Sequence, residues 1–339
     1  MNASSPNVPL TLQRTIAESF SAHEVDQWQV VQSLWSEYGK IYRVCFTGHS
    51  HPNVIVKHVR PPEQACQPRG WNTDRSHQRK LRSYEVEVNW YRDWQRQFPS
   101  ACPMADCLHA SHCDSELVLV LEDLDAAGYG MRHSSLPIQK VHEVLDWLAA
   151  FHAASINATP TGLWPVGTYW HLETRPDELA AMPTNHPLRL HAAAINNRLN
   201  QCPYPTIVHG DAKVANFCFG PERHQIAAVD FQYVGGGCGM KDVAYFLGSC
   251  LTESQCERYE ETLLDAYFAS LKRAVKQRHA GPSHQPDQVD CEELEHHYRA
   301  MYPLAWADFN RFLIGWCPDH PKLHRYSQRL ALEAISTLG

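Results

Sequence analysis

Two short polar motifs constrain this chain more than any other part of its sequence. The first runs from His209 to Asn216 and contains Asp211, and the second ends an apolar run with Asp230. An aspartate, an asparagine five residues later and a second aspartate downstream form the residue set that phosphoryl transfer requires. Asp211 would orient and deprotonate a hydroxyl, while Asn216 and Asp230 would hold magnesium through oxygen atoms. The motifs therefore predict a phosphoryl-transfer site, although a loop aspartate that caps a turn would explain them too.

A lysine and a glutamate that such a site needs are found upstream. Lys57 lies in the β-branched run 54–59, as expected of the strand lysine that pairs the α- and β-phosphates. The stretch 81–95 has helical character and offers Glu85 and Glu87 as ion-pair partners for that lysine. Because a lone strand lysine is usually solvated, the assignment of Lys57 depends on the motifs downstream.

The nucleotide would also meet a strand and a loop of the first third of the chain. Residues 116–124 form an apolar strand that ends in acidic residues, where a kinase chain crosses between its lobes. The backbone around Glu122 and Leu124 would contact the adenine, although an ordinary buried strand has the same pattern. The loop with Ser36 and Gly39 would cover the phosphates, but its single glycine provides no glycine-rich cradle. Ser36 and Gly39 are therefore expected to contact the nucleotide because of their place in the chain, and no glycine-rich motif supports that expectation.

In this order, the motifs resemble those of the aminoglycoside phosphotransferase and choline kinase superfamily, most closely its ecdysteroid-kinase-like (CHK kinase-like) branch. The matching segments are LVLEDL ending at Leu124, HGDAKVANFCF from His209 and AAVDFQ ending at Gln232. In that branch a glutamate lies four residues before a tyrosine on the early helix, which selects Glu87 ahead of Tyr91. The resemblance implies an α+β, bilobal protein-kinase-like fold with a small β-rich N-lobe, one main N-lobe helix and a larger, mostly helical C-lobe.

The resemblance also implies the organisation and the reaction. We expect a tail and short helix at 1–22, an N-lobe at 23–124 and a C-lobe at 125–339. The reaction would move the γ-phosphate of Mg-ATP to a hydroxyl of an amino alcohol, a sugar-like or a sterol-like acceptor, with Asp211 as base. ATP and Mg²⁺ are the expected cofactors. Lys213 lies where serine/threonine protein kinases carry a lysine that touches the transferred phosphate, and a solvated loop lysine is the alternative.

The segment after Asp230 argues against a protein substrate. Three glycines occupy 235–237 and a helix already begins near Asp242, so a long activation loop has no room. Asp242 fits a helix cap that also braces the catalytic loop. The other alternative is a pseudokinase that binds nucleotide as a sensor or binding protein, which the complete set of polar residues disfavours.

Two aromatic-rich stretches, 162–171 and 306–316, are candidates for the acceptor wall. Trp170 and Trp306 would offer faces to a cation or a sugar ring, and Asp308 would complement a positive ligand. The same tryptophans would equally well fill a helical core. The sequence therefore leaves the identity of the acceptor open.

Charge and composition limit the partners. With a net charge of -7, the chain has no overall positive charge that would attract nucleic acid or an anionic membrane. No apolar run reaches the length of a membrane span and the first residues lack signal-peptide features, which predicts a cytoplasmic protein. The 12 cysteines are scattered, and those at 102–113 lack zinc spacing, so reduced thiols are expected. The expected partner is a small-molecule hydroxyl acceptor, with no nucleic acid and no membrane, and the protein would be a monomer or homodimer.

Overall fold

The structure is a computed structural model that describes residues 8–20, 25–34, 38–47, 52–61, 74–113, 116–279 and 289–338. Its strands are β1 (Gln27–Ser33), β2 (Gly39–Cys45), β3 (Asn53–Val59), β4 (Cys107–Cys113), β5 (Glu116–Glu122), β6 (Thr206–Val208), β7 (Phe217–Phe219), β8 (Ile226–Ala228) and β9 (Gly235–Gly237). Its α-helices are α1 (Leu10–Ser19), α2 (Asp74–Asn89), α3 (Ile138–Ala154), α4 (Pro176–Ala181), α5 (Pro187–Leu190), α6 (Ala192–Asn200), α7 (Met240–Cys250), α8 (Glu253–His279), α9 (Cys291–Trp316) and α10 (Arg325–Ser336).

The N-lobe is built on a five-stranded antiparallel sheet with the order β1-β2-β3-β5-β4. The β-branched run predicted as a strand forms β3, which pairs with β2 and β5. Because side chains alternate along a strand, Val56 and Lys57 face opposite sides of the sheet. Val56 packs with Leu12 and Ile16 of α1, so α1 covers the outer face and Lys57 points inward.

The inner face of the sheet is covered by α2, which begins at Asp74, earlier than the predicted start at residue 81. It ends at Asn89 and continues into a π-helical turn, Trp90–Trp94. The helix also bonds to the C-lobe. Arg79 donates to Thr174 O at 2.8 Å, and Asn89 Nδ2 donates to Gly162 O at 2.9 Å. The lobes are therefore joined along α2 as well as through the segment after β5.

The C-lobe is mostly helical, and two short strand pairs in it carry the polar motifs. The helical stripe predicted for 138–155 is confirmed by α3, whose Leu148 and Phe151 are fully buried in the core. β6 pairs with β9 and β7 pairs with β8, both antiparallel. Asp211 follows β6, Asn216 precedes β7 and Asp230 follows β8. The short pairs therefore bring the two motifs to one place below the N-lobe sheet.

The described residues contain no membrane-spanning helix, disulfide or cluster of metal ligands. None of their helices is long and apolar enough to cross a membrane. Their ten cysteines with described side chains are all free of disulfides. No group of three or more histidine, cysteine, aspartate or glutamate side chains in this part of the chain is arranged to hold a metal ion.

Gly39 allows the start of β2 to approach β3 closely. Its φ is +146°, and a Cβ there would lie 2.0 Å from His58 O. Gly39→Ala should therefore destabilise the protein by about 1–3 kcal/mol, seen as a lower midpoint of thermal unfolding by circular dichroism. Gly130→Ala is the matched control, because the atom nearest to its Cβ would be 4.0 Å away. Equal midpoints for the two variants would contradict this steric role.

Candidate active site

A buried aspartate of α7 fixes the loop that carries Asp211. Asp242 Oδ2 accepts a hydrogen bond from His209 N at 2.6 Å, and Oδ1 accepts one from Gly210 N at 2.9 Å. His152 Nε2 of α3 lies 3.2 Å from Oδ2. The side chains of Asp242, His152 and His209 are fully buried. The expectation that Asp242 braces the catalytic loop is confirmed.

His209 connects this loop to the second motif. Its Nε2 donates to Val229 O at 3.1 Å, which leaves Nδ1 to accept from Asp211 N at 3.3 Å. Burial lowers the pKa of His209 and so favours the neutral ring that this pair of bonds requires. Because Val229 precedes Asp230, one imidazole holds both motifs in register.

The carboxylate of Asp211 is held by one oxygen only. Oδ2 accepts from Lys213 Nζ at 2.8 Å and from Asn216 Nδ2 at 3.0 Å. Oδ1 is buried with no donor within 3.5 Å among the described residues, although the Tyr245 hydroxyl faces this carboxylate. Burial raises the pKa of Asp211, and the ammonium group of Lys213 opposes that rise. A buried carboxylate with one oxygen lacking a donor is suited to accept a proton.

Lys57 forms a buried ion pair with α2. Its Nζ lies 2.6 Å from Glu87 Oε2 and 3.9 Å from Asp230 Oδ1. Glu85 points elsewhere and pairs with Arg82 in an exposed contact. Burial raises the pKa of Glu87, and the charge of Lys57 opposes it. The geometry therefore agrees with the choice of Glu87 over Glu85.

Asp230 lies in the left-handed region, with a φ of +68°, which aspartate tolerates better than most residues. Its Oδ1 accepts from Gln232 Nε2 at 2.7 Å, and Gln232 Oε1 accepts from Lys80 Nζ at 2.8 Å. Burial alone would raise the pKa of Asp230, but the ammonium groups of Lys57, Lys213 and Lys80 lower it. The carboxylate thus stays ionised, as a metal ligand must.

One cleft of about 750 Å³ between the lobes is lined by Lys57, Glu87, Asp211, Asn216 and Asp230. At one end its walls are apolar and include Ile55 and Leu121, which are paired across β3 and β5. Glu122 and Leu124 line the same end, where the sequence predicted the adenine. Gly39 does not line the cleft, so its nucleotide contact stays a prediction. Ser36 lies outside the described residues.

The structure corrects the predicted acceptor contacts Trp170, Trp306 and Asp308. Both indoles are completely buried, and none of the three side chains lines the cleft. Trp170 Nε1 donates to Asp308 Oδ2 at 3.1 Å, and Arg311 Nη2 lies 2.8 Å from Asp308 Oδ1. Asp308 therefore neutralises a buried arginine of its own helix, and the tryptophans belong to the core.

Neighbouring residues of the same two stretches face the cleft instead. Tyr169, Phe312 and Trp316 line its second end, together with Arg79 and Arg175. Phe312 touches the cleft but is 1% exposed and packs with Trp170 in the core, whereas Trp316, one helical turn later, is 37% exposed. No sequence signal distinguishes Tyr169 from its neighbour in an irregular segment.

Comparison with protein families matches residues 66–161 and 178–279 to the ecdysteroid kinase-like family. The match covers more than half of the chain and includes Glu87, Asp211, Asn216 and Asp230. The chain belongs to the ecdysteroid kinase-like family. This ecdysteroid kinase-like protein is therefore a small-molecule kinase by class, as the motifs predicted. A search of curated proteins finds no match.

Solved structures show the same fold at low sequence identity. Amicoumacin kinase hAmiN, in complex with AMP-PNP, Ca²⁺ and Ami, is 12% identical with a TM-score of 0.52, over 98% of this chain and 93% of that one. Aminoglycoside 2'-phosphotransferase-IIIa, as its GDP complex, is 11% identical with a TM-score of 0.51, over 97% and 98%. A candidate aminoglycoside phosphotransferase from Ralstonia eutropha JMP134 is 14% identical with a TM-score of 0.50, over 96% and 94%. The bilobal protein-kinase-like fold is thereby confirmed.

Asp242→Asn tests the brace under the catalytic loop of this ecdysteroid kinase-like protein. An amide has one acceptor oxygen, so either His209 N or Gly210 N would face an amide NH₂ in the interior. We expect a loss of about 1–3 kcal/mol in stability, measured by urea unfolding. Asp177→Asn is the control, because the ion pair that Asp177 forms with Arg75 is exposed. An unchanged unfolding midpoint for Asp242→Asn would contradict the brace.

Proposed function

We propose that this protein transfers the γ-phosphate of Mg-ATP to a hydroxyl group of a small molecule, with Asp211 as the base. The observation that carries the proposal is the state of the Asp211 carboxylate. One oxygen is fixed by Lys213 and Asn216, and the other is buried without a donor beside the cleft. A hydroxyl placed against that second oxygen would complete its hydrogen bonding, and this is the contact that a general base needs.

The opposite end of the cleft supports nucleotide binding. Apolar side chains there suit a flat base, and the backbone of Glu122 to Leu124 runs beside them. The Lys57 ammonium, held by Glu87, would bind phosphate oxygens deeper in the cleft. Two of the structural neighbours are nucleotide complexes, one with AMP-PNP and one with GDP. ATP is the nucleotide that we propose here.

The donor set also fits magnesium. Asp230 offers a carboxylate with a lowered pKa, and Asn216 an amide oxygen. Mg²⁺ prefers such oxygen ligands and is commonly held by one or two side chains together with substrate phosphates. When bound, the ion would neutralise charge on the phosphate oxygens. The role of the chain is to keep Asp230 ionised, through the charges of Lys57, Lys80 and Lys213.

In the proposed reaction, the acceptor oxygen forms a bond to the γ-phosphorus while the bond from that phosphorus to the β,γ-bridging oxygen breaks. The hydroxyl proton passes to Asp211 Oδ1, and ADP leaves with the bridging oxygen. Lys213 is held at Asp211 by a 2.8 Å contact. Burial would lower the pKa of Lys213, but Asp211 raises it, so the side chain stays charged beside the transferred group. We assign it the role of steadying that group.

Asp211→Asn should abolish transfer without abolishing nucleotide binding. We expect about a 10²- to 10⁴-fold lower rate of labelled-product formation from γ-labelled ATP, magnesium and a small-molecule extract, because the proton acceptor is lost. Products are separated by mass spectrometry, and Mg-ATP binding is followed by thermal stabilisation. Asp93→Asn is the control, since Asp93 pairs with Arg92 at the surface. Mg-ATP binding without any Asp211-dependent product would instead support a pseudokinase.

Lys213→Met should move the acidic limb of the pH–rate profile upward. Transfer requires ionised Asp211, so the rate rises as pH passes through the pKa of that carboxyl. Burial already raises this pKa above its ordinary value, and Lys213 lowers it. Removing the ammonium group raises the pKa further, so a higher pH is needed for the same fraction of base.

Lys213→Arg is the control for this pH experiment, because it retains the charge and should keep the limb near that of the wild type. The measurement is the rate of transfer against pH with saturating Mg-ATP. A limb that stays in place or moves to lower pH in Lys213→Met would contradict the assignment of the limb to Asp211.

A further inference from the structure

The end of the cleft away from the adenine carries positive charge. We define the acceptor half as the cleft-lining residues within 76–84, 169–175, 232–233 and 312–316. It contains three cations, Arg79, Lys80 and Arg175, and no aspartate or glutamate among the described residues. A site built for a polycationic acceptor would have the opposite sign.

Arg79 is the cation with the least compensation. Its Nη1 donates to Thr174 O at 2.8 Å and its Nη2 to Ser76 Oγ at 3.2 Å, and both partners are neutral. It forms no ion pair within the described part of the chain. Burial and then the nearby charge of Arg175 lower the pKa of Arg79, and they outweigh the opposing charges of Glu178 and Asp177, neither of which forms an ion pair with it.

Lys80 and Arg175 differ in their partners. Lys80 Nζ donates to Gln232 Oε1 and lies 4.6 Å from the ring centroid of Tyr84. It forms no ion pair within the described residues, although its charge also acts on Asp230. Arg175 is paired with the buried Glu178 at 2.9 Å and is therefore balanced. The excess charge of the acceptor half thus comes from two adjacent residues of α2, Arg79 and Lys80.

An aromatic wall faces these cations. Tyr169 packs edge-on against Phe312, with ring centroids 5.4 Å apart, and Trp316 stacks on Phe312 at 5.7 Å. Trp316 is the last residue of α9 and is 37% exposed, although this end of the helix otherwise packs inward. Flat apolar surface of this kind suits a ring system in the ligand.

We propose that the acceptor is a ring-bearing alcohol that also carries an anionic group, such as a carboxylate, sulfate or phosphate, which Arg79 and Lys80 bind. This inference rests on the proposed function, since it names the acceptor class for the same Asp211 site. It reverses the charge that the sequence suggested through Asp308. The ring lies against Tyr169 and Trp316, and the anion lies under α2.

Four matched probes test the charge of the acceptor: benzyl alcohol, 4-(hydroxymethyl)benzoate, 4-(hydroxymethyl)benzenesulfonate and 4-(aminomethyl)benzyl alcohol. Binding to the protein saturated with Mg-AMP-PNP is measured by titration calorimetry. We expect both anionic probes to bind at least tenfold more tightly than benzyl alcohol, because they gain a charge-assisted hydrogen bond. The cationic probe should bind more weakly than benzyl alcohol, because the cations of the acceptor half repel it. The two anions separate a carboxylate preference from a preference for sulfate-like groups.

Variants of Arg79 locate the effect. Arg79→Gln should weaken the anionic probes about tenfold and leave benzyl alcohol unchanged, and Arg79→Lys should retain most of the preference. Arg75→Gln is the matched control, because Arg75 is on the same helix but pairs with Asp177 outside the cleft. It should bind all four probes as the wild type does.

Several results would overturn this inference: anionic and cationic probes that bind equally, no binding by any probe, or an anionic preference that survives in Arg79→Gln. A tenfold loss of Mg-AMP-PNP affinity in Arg79→Gln would also overturn it, since Arg79 would then serve the nucleotide. Failure of the proposed function is seen separately, as absence of Asp211-dependent transfer from γ-labelled ATP.

Discussion

The active site depends on one buried carboxylate that receives two successive backbone N–H groups. Asp242 can bind both His209 N and Gly210 N only if the chain reverses between them, and Gly210 makes this possible with a φ of +79°. A Cβ at Gly210 would lie 2.0 Å from Tyr233 O, so no other residue fits without a shift. The direction of the chain at Asp211 is therefore determined by contacts with α7, and not by the conformational preferences of the loop itself. This explains why a residue far along the chain governs the position of Asp211, the proposed base.

The two acidic residues of the cleft illustrate how environment separates roles. Both Asp211 and Asp230 are carboxylates in one cleft, and they influence each other's charge. Burial raises the pKa of Asp211 against the opposing charge of Lys213, whereas three ammonium groups lower that of Asp230. Groups whose pKa values are pushed apart in this way are typically one proton acceptor and one permanent anion. The assignment of base and metal ligand thus has an electrostatic reason as well as a motif.

The sequence was sufficient where chemistry is confined to short segments. Asp211, Asn216 and Asp230 follow from residue types at fixed spacing, and β3 and α3 follow from composition and periodicity. It was insufficient where tertiary packing chooses between neighbours. Tyr169 lines the cleft and Trp170 is buried, but both lie in an irregular segment in which the sequence does not determine which side chain turns inward. Asp308 turns inward because it pairs with Arg311. The early start of α2 was missed because its first turns are polar and are stabilised by bonds to the other lobe. The charge proposed for the acceptor depends on Arg79 and Lys80 of α2 lining the cleft, which the sequence pattern does not reveal.

The bonds along α2 have a mechanical consequence. Arg79 reaches Thr174 O, Lys80 and Ser83 reach Gln232, and Arg82 and Asn89 reach Gly162 O. Against the sheet, the same helix relies on the Lys57–Glu87 pair and on aromatic contacts such as Tyr38 with Tyr84. The helix therefore moves with the C-lobe unless at least five hydrogen bonds break together. Widening of the cleft would be easiest as a sliding of the sheet over α2, which would stretch the Lys57–Glu87 pair. Under the proposed function, release of nucleotide would then be coupled to displacement of the lysine that binds its phosphates.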